Sequence, residues 1–254
     1  MKRILSIWVI ISGIVIFVYS ASAAISEEDI RNNDLQKVKN VIINDVNINA
    51  KNDYGLTPLI EAAEFNSLDV AKLLIVKRAD INLKDDISGA TALMYAVGRE
   101  NLDVVKLLIE NKADINAIDK AGQAALMIAA MNGSSEIAKL LIDKGANINL
   151  QDGYKMNALM FALSHSKLDV AKLLIDAGAD INAQNLTGET ALMMTAEGSF
   201  TDITKILIDK GVDINIKNKD GKTAVDFANE FKHDEIVALF KQPKKDTGEV
   251  GTKQ

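Results

Sequence analysis

Cysteine is absent from the 254 residues, which excludes disulfides, thiolate metal sites and cysteine nucleophiles together. Histidine occurs only at His165 and His233, too few for an imidazole metal cluster. Proline is limited to Pro58 and Pro243 and tryptophan to Trp8, so the chain is no Pro-rich low-complexity segment. A surplus of positive charge is missing too. The 29 basic residues face 35 acidic ones for a net charge of −6, which argues against binding nucleic acid. What is present, 48% hydrophobic and 25% charged residues, is the balance of a folded chain. The sequence also lacks a glycine-rich phosphate cradle. His165, flanked by Ser164 and Ser166, has neighbours that point in different directions on a helix and no orienting acid. The expectation is a protein that is not an enzyme, with no catalytic residues, no cofactor, no metal and no small-molecule substrate.

A long apolar run stands at the N-terminus. Lys2 and Arg3 precede Ile4 to Tyr19, and Ser20-Ala21-Ser22-Ala23 follows. A basic start, an apolar core and an A-x-A-like end read as a secretory signal peptide, cut after Ala23. A spanning helix needs about 20 apolar residues, more than this run supplies. The product is expected to be periplasmic or secreted, and to meet a membrane only if the segment is retained.

The rest of the chain repeats. The triplet D/N-I-N ends at Asn49, Asn82, Asn116, Asn149, Asn182 and Asn215, spaced 33 or 34 residues apart. A second marker, an aliphatic residue opening an Ala-rich stretch, falls at Leu59, Leu93, Leu126, Leu159, Leu192 and Val225 in the same phase. One inserted residue lies near Asp86. Each period predicts two short helices and a turn. Thr57, Thr91, Thr190 and Thr223 stand at the first N-cap and Pro58 at the first helical position; Ala124 and Asn157 occupy the cap in the other two periods. Val70, Leu73 and Leu74 follow helical spacing on the second helix. Gly145, Gly178 and Gly211 sit where a left-handed C-cap is expected, with Arg78 and Lys112 in the earlier periods. The Asp-Ile-Asn turns resemble half a calcium loop, but Lys84, Ile118, Gln184 and Lys217 hold the next ligand position and the closing Glu never comes. Their recurrence in phase points to a structural role, bonding the local backbone.

Thr57-Pro58-Leu59, Ala62-Ala63, Ala129-Ala130, Asn132-Gly133, Val104-Val105-Lys106-Leu107-Leu108 and Gly178-Ala179-Asp180-Ile181-Asn182 together resemble the ankyrin repeat. The resemblance runs from about residue 28 to 240. It implies an all-α fold, a solenoid of paired antiparallel helices with hairpin-like turns. It divides the chain into the signal peptide 1–23, an N-terminal partial or capping repeat 24–53, five repeats over 54–219, a C-terminal capping repeat 220–240 and a disordered tail 241–254. The family usually has His after the marker Leu. Here Ile60, Met94, Met127, Met160, Met193 and Asp226 stand there, so more weight is expected on apolar packing between repeats. His233, in the capping repeat, reads as surface decoration.

The resemblance also implies a partner protein, bound on the concave face built from hairpin tips and first helices. The repeat phase places Tyr54, Glu61, Phe65, Tyr95, Arg99, Met131, Asn132, Tyr154, Phe161 and His165 on that face, and Asp85, Asp119 and Asp152 at its tips. Apolar anchors with a charged rim are the anatomy of an interface. The leading expectation is an exported protein–protein interaction module. The alternatives are a membrane-tethered spacer that keeps its apolar segment, or a secreted effector that binds a host protein.

Overall fold

The computed structural model describes residues 7–11, 14–18, 25–42 and 47–241. Two short antiparallel strands, β1 (Ile7–Ile11) and β2 (Ile14–Val18), lie in the apolar N-terminal run. The expected cleavage site at Ala23 and the tail from residue 242 onward lie outside the described residues. Among the described residues, no helix is long and apolar enough to cross a membrane.

From Glu27 onward the described residues form helices in successive pairs: α1 (Glu27–Arg31) and α2 (Leu35–Ile42), α3 (Pro58–Glu64) and α4 (Leu68–Val76), α5 (Ala92–Gly98) and α6 (Leu102–Glu110). There follow α7 (Ala125–Asn132) and α8 (Ser135–Asp143), α9 (Ala158–Ser164) and α10 (Leu168–Asp176), α11 (Ala191–Glu197) and α12 (Thr201–Asp209), α13 (Ala224–Glu230) and α14 (Asp234–Phe240). The predicted caps start the first helices. Thr57 Oγ1 accepts from the Ile60 N–H at 3.3 Å, Thr91 and Thr190 do the same three residues on, and the Asn157 amide oxygen takes that role for α9. Thr223 and Asp226 form a reciprocal capping box on α13. Such helices are too short to stand alone; their apolar faces hold them. Leu59, Leu74, Leu93, Leu108, Leu141, Leu159 and Leu174 are fully buried, and Ala62, Ala96, Ala129, Ala162 and Ala228 have no exposed surface.

The chain divides into two compact units, residues 1–129 with 136–147, and residues 130–135 with 148–254. In the first, α3 packs on α1, α4 and α5, while α4 packs on α2 and α6. In the second, α9 packs on α10 and α11, α11 on α12 and α13, and α12 on α14.

Every left-handed residue among those described falls into one of three series in repeat phase. One lies between the helices of a pair, from Asn33 to Lys232; one follows the second helix; one lies in the hairpin tip. In the second series Gly145, Gly178 and Gly211 are left-handed as expected, and so are Arg78 (φ 66°) and Lys112 (φ 70°). A side chain in this region costs about 1 kcal/mol that glycine avoids. Arg78→Gly and Lys112→Gly are therefore each expected to raise stability by up to roughly 1 kcal/mol. The check is a urea midpoint; a loss would show that the arginine or lysine stem contributes packing that outweighs the backbone strain. In the tip series the repeat that follows sets the tolerance. A Cβ on Gly188 would meet backbone atoms of Asn218 and Lys219 at 3.0–3.2 Å, whereas at Gly221 nothing lies within 4 Å.

Between repeats the weight does not rest on apolar packing alone. The last Asn of each triplet accepts from the backbone N–H that opens the next: Asn49 from Asp80, Asn82 from Asp114, Asn116 from Asn147, Asn149 from Asp180 and Asn182 from Asp213, all at 2.8–2.9 Å. Within a triplet the first side chain accepts from the N–H of the third, as in Asp80 with Asn82 at 3.0 Å. The triplet bonds the local backbone as expected and also joins one repeat to the next.

A second tie uses the residue before the second helix. Ser67 Oγ donates to the Ile30 carbonyl and Asn101 Nδ2 to that of Ala63 at 2.8 Å. His233 does not decorate the surface. It is half-buried, its Nδ1 lies 2.8 Å from the Ala196 carbonyl, and its ring stacks on Phe231. A carbonyl only accepts, so Nδ1 carries the proton. Ser134, at the equivalent position, has a buried hydroxyl without a partner among the described residues.

Candidate functional site

Each hairpin tip is organised by one Asn or Asp that accepts from the backbone N–H groups two and four residues on. Asn52 takes those of Tyr54 (2.9 Å) and Leu56 (3.0 Å); Asp119, Asp152, Asn185 and Asn218 repeat the pattern. Asp85 differs because its tip carries the inserted residue. Oδ1 accepts from the Ile87 and Ser88 N–H groups and Oδ2 from the Ala90 N–H and the Ser88 hydroxyl, all at 2.6–2.7 Å. Burial pushes the Asp85 carboxyl up, yet the Ser88 hydroxyl and the N–H groups of Ser88, Ala90 and Ile87 outweigh it and hold the group below its ordinary value. Asp85 and Asp152 are thus buried scaffold residues and not the exposed rim expected from the repeat phase.

With the backbone turned this way, the tips of the first unit present Tyr54 (63% exposed) and Ile87 (71% exposed). These two, with Leu56, the α3 C-cap Phe65 and Tyr95 of α5, line an open cavity of about 400 Å³. Its polar lining comes from Glu27 and Arg31 of α1, Asn52, and Glu61 and Glu64 of α3. Arg31 pairs with Glu27 and lies over the Phe65 ring, 4.5 Å from its centroid. Arg99 pairs with Glu64 at 2.6 Å. Asn52 Nδ2 donates to Glu61 Oε1 at 2.7 Å. Glu61 is only 3% exposed, and burial pushes its carboxyl up to about 7, with Glu27 and Glu64 adding repulsion. Burial likewise raises the Tyr95 phenol, which stays neutral.

The second unit holds another open cavity, of about 480 Å³, among Met156, Leu163, Met194, Phe200, Glu189 and Glu197. Tyr154 projects from the tip before α9, 68% exposed. His165 caps α9 in the open, its Nδ1 3.0 Å from both Ser164 Oγ and the Phe161 carbonyl. Met131 and Asn132, at the end of α7, are half-buried.

Four of the sequence-derived candidates, Tyr54, Glu61, Phe65 and Tyr95, therefore line one cavity, and a fifth, Arg99, pairs with its Glu64. Phe161 is a correction. At 7% exposed it is a core side chain of α9 and presents no ring to a partner. Glu61 is corrected in part, since it sits at the base of the cavity and not on its rim. Glu27, Arg31, Leu56 and Ile87 were missed. The first two read as the polar outer side of a capping repeat, and Ile87 arrives with the insertion, outside any periodic pattern.

The family model of ankyrin repeats, three copies to a model, matches residues 27–119, 113–185 and 159–249. The chain belongs to the ankyrin-repeat family. Its helix pairs, threonine caps and projecting tips are those of ankyrin repeats, which mediate binding to other proteins. A relative named as an ankyrin repeat protein, from Rickettsia bellii (strain RML369-C), is 48% identical over 54 residues. That match spans 21% of this chain and 29% of the relative, so less than a third of the relative's length is shared.

Proposed function

We propose that this ankyrin-repeat protein is an exported, non-catalytic scaffold that holds a partner protein against the hairpin tips and first helices of its first unit. The observation that carries the reading is the pair of exposed tip side chains, Tyr54 and Ile87, beside a cavity walled by Phe65 and Tyr95. Large apolar groups left in water next to a concave, partly aromatic surface with ion pairs at its edge are what a docking site needs. The side chains so gathered offer apolar contacts rimmed by ion pairs, which supports a role in holding a partner. The basic, apolar and small-residue order of residues 2–23 supports export.

The test is affinity capture on the envelope extract and culture medium of the source cell. The full chain serves as bait beside a Tyr54→Ala/Phe65→Ala/Tyr95→Ala variant whose circular dichroism matches. A protein held by the wild type and lost by the variant is expected; equal retention would place the docking surface elsewhere. Mass spectrometry of the native N-terminus addresses export, since a cleaved chain begins at Ala24 and a chain starting at Met1 returns the weight to a tethered spacer.

A further inference from the structure

We infer that Glu61, with the aromatic side chains around it, receives a basic side chain, arginine or lysine, carried by the docked partner. The inference rests on the reading of this cavity as the docking site and adds the chemistry of what enters it.

Charge bookkeeping inside the cavity singles Glu61 out. The Arg31 guanidinium is engaged by Glu27 and by the Phe65 ring, and Arg99 is engaged by Glu64. Glu61 has no ion-pair partner among the described residues, and the Asn52 amide donates to its Oε1. A carboxyl so deeply buried, lining a cavity on one side and held by a neutral amide on the other, has no direct ion pair; Arg31 attracts it only at a distance, and burial with the repulsion of Glu27 and Glu64 outweighs that. The three carboxylates that line the cavity outnumber its single guanidinium.

The walls suit a cation as well. Phe65 and Tyr95 line the cavity and Tyr54 stands exposed among its lining residues, and ring faces attract ammonium and guanidinium groups. Each rival occupant fares worse. An acidic side chain would meet Glu27, Glu61 and Glu64. An apolar one would complete the desolvation of Glu61 and give it no donor. A hard metal cation seeks six or more oxygens, which one free carboxyl and one amide do not supply. Arginine brings five donors in a planar fork, lysine three on a slender stem.

Linkage follows from the surroundings. The charged and titratable groups around Glu61 are Glu27 and Arg31 from α1, Glu64 on α3 and the neutral Tyr95 of α5, with Arg99 held by Glu64. In the free site Glu61 therefore stays partly protonated near neutrality. An entering cation favours the ionised carboxyl, so binding releases a proton and tightens as pH rises.

The test uses the full chain with carboxyl-labelled glutamate, titrated by NMR with and without N-acetyl-arginine amide. The neutral N-acetyl-citrulline amide is the control. The Glu61 midpoint is expected near neutrality in the free protein and at least a unit lower with the arginine compound, a tenfold preference for the ionised form, but unmoved by citrulline. Glu61→Gln should abolish the accompanying shifts of the Phe65 and Tyr95 rings. A free midpoint at an ordinary carboxylate value would overturn the inference, as would ring shifts of equal size with citrulline or in E61Q, or no response at all. The two readings also fail separately. A partner that is lost by the Tyr54/Phe65/Tyr95 variant yet held undiminished by E61Q removes the basic side chain and leaves the docking surface standing.

Discussion

Replacing Asp85 with alanine is expected to lower the stability of the protein by about 3 kcal/mol, several buried hydrogen bonds' worth. The side chain organises the one tip that is a residue longer than the rest. Three backbone N–H groups and the Ser88 hydroxyl converge on its two oxygens, and the residue is only 3% exposed. Removing the carboxylate leaves those donors without an acceptor. The sharper comparison is with asparagine. Asp152 receives its two backbone donors on Oδ1 alone, and Asn52, Asn185 and Asn218 do the same work with one amide oxygen. Asp152→Asn should therefore be nearly neutral. Asp85→Asn should cost about 1–2 kcal/mol, because its amide nitrogen would face the Ala90 N–H donor across the position of Oδ2. Urea unfolding of the three variants checks the order. Equal losses in the two asparagine variants would mean that the longer tip does not depend on the second oxygen.

Glu61→Gln should make the protein more stable at alkaline pH and leave it unchanged at acid pH. The folded carboxyl titrates at about 7 against an ordinary 4.5, so the native state holds this proton more tightly than the unfolded chain does. Its contribution is complete below the ordinary value and is lost as pH rises through 7. A shift of this size sets a ceiling of about 3 kcal/mol at roughly 1.4 kcal/mol per unit; water in the open cavity beside the carboxyl lowers the expected effect to about 2 kcal/mol. Glutamine keeps an oxygen for the Asn52 amide and carries no charge. Unfolding midpoints of wild type and variant should coincide below about pH 4, part as pH rises from about 4.5 to about 7, and stay apart above that, the variant higher. Parallel curves across that range would show that Glu61 titrates as an ordinary carboxyl.

Local chemistry explains what could be read in advance. Thr57, Pro58, Thr91 and Thr190 announce helix starts because a cap acts within three residues of itself. Gly145, Gly178 and Gly211 mark left-handed ends for the same reason, and their phase exposes Arg78 and Lys112 as left-handed too. The cavity was half legible. Tyr54, Phe65 and Tyr95 fall on one face by repeat phase alone. Glu27 and Arg31 reach that face from a helix pair whose polar residues have an equally good explanation as a cap. Burial depth was not legible for Glu61 or Phe161, since the same position in a repeat is covered or open according to the bulk of the neighbouring repeat's side chains. Nor was the reach of Asn49 and its counterparts, whose bonds span about one whole period of sequence and connect residues with no local relation.

That row of asparagines bears on how such a chain changes length from one generation to the next. Each rung needs only an Asn at the end of one triplet and a free N–H at the start of another, and it is indifferent to which copy supplies them. Losing or duplicating one full period between two triplets would recreate the same rung at the join. Additions of a single residue have an outlet as well, because the tip at Asp85 has taken one while Asn82 still reaches Asp114. Copy number can thus drift by whole periods, and tip length by single residues, with the bonding of every other repeat undisturbed.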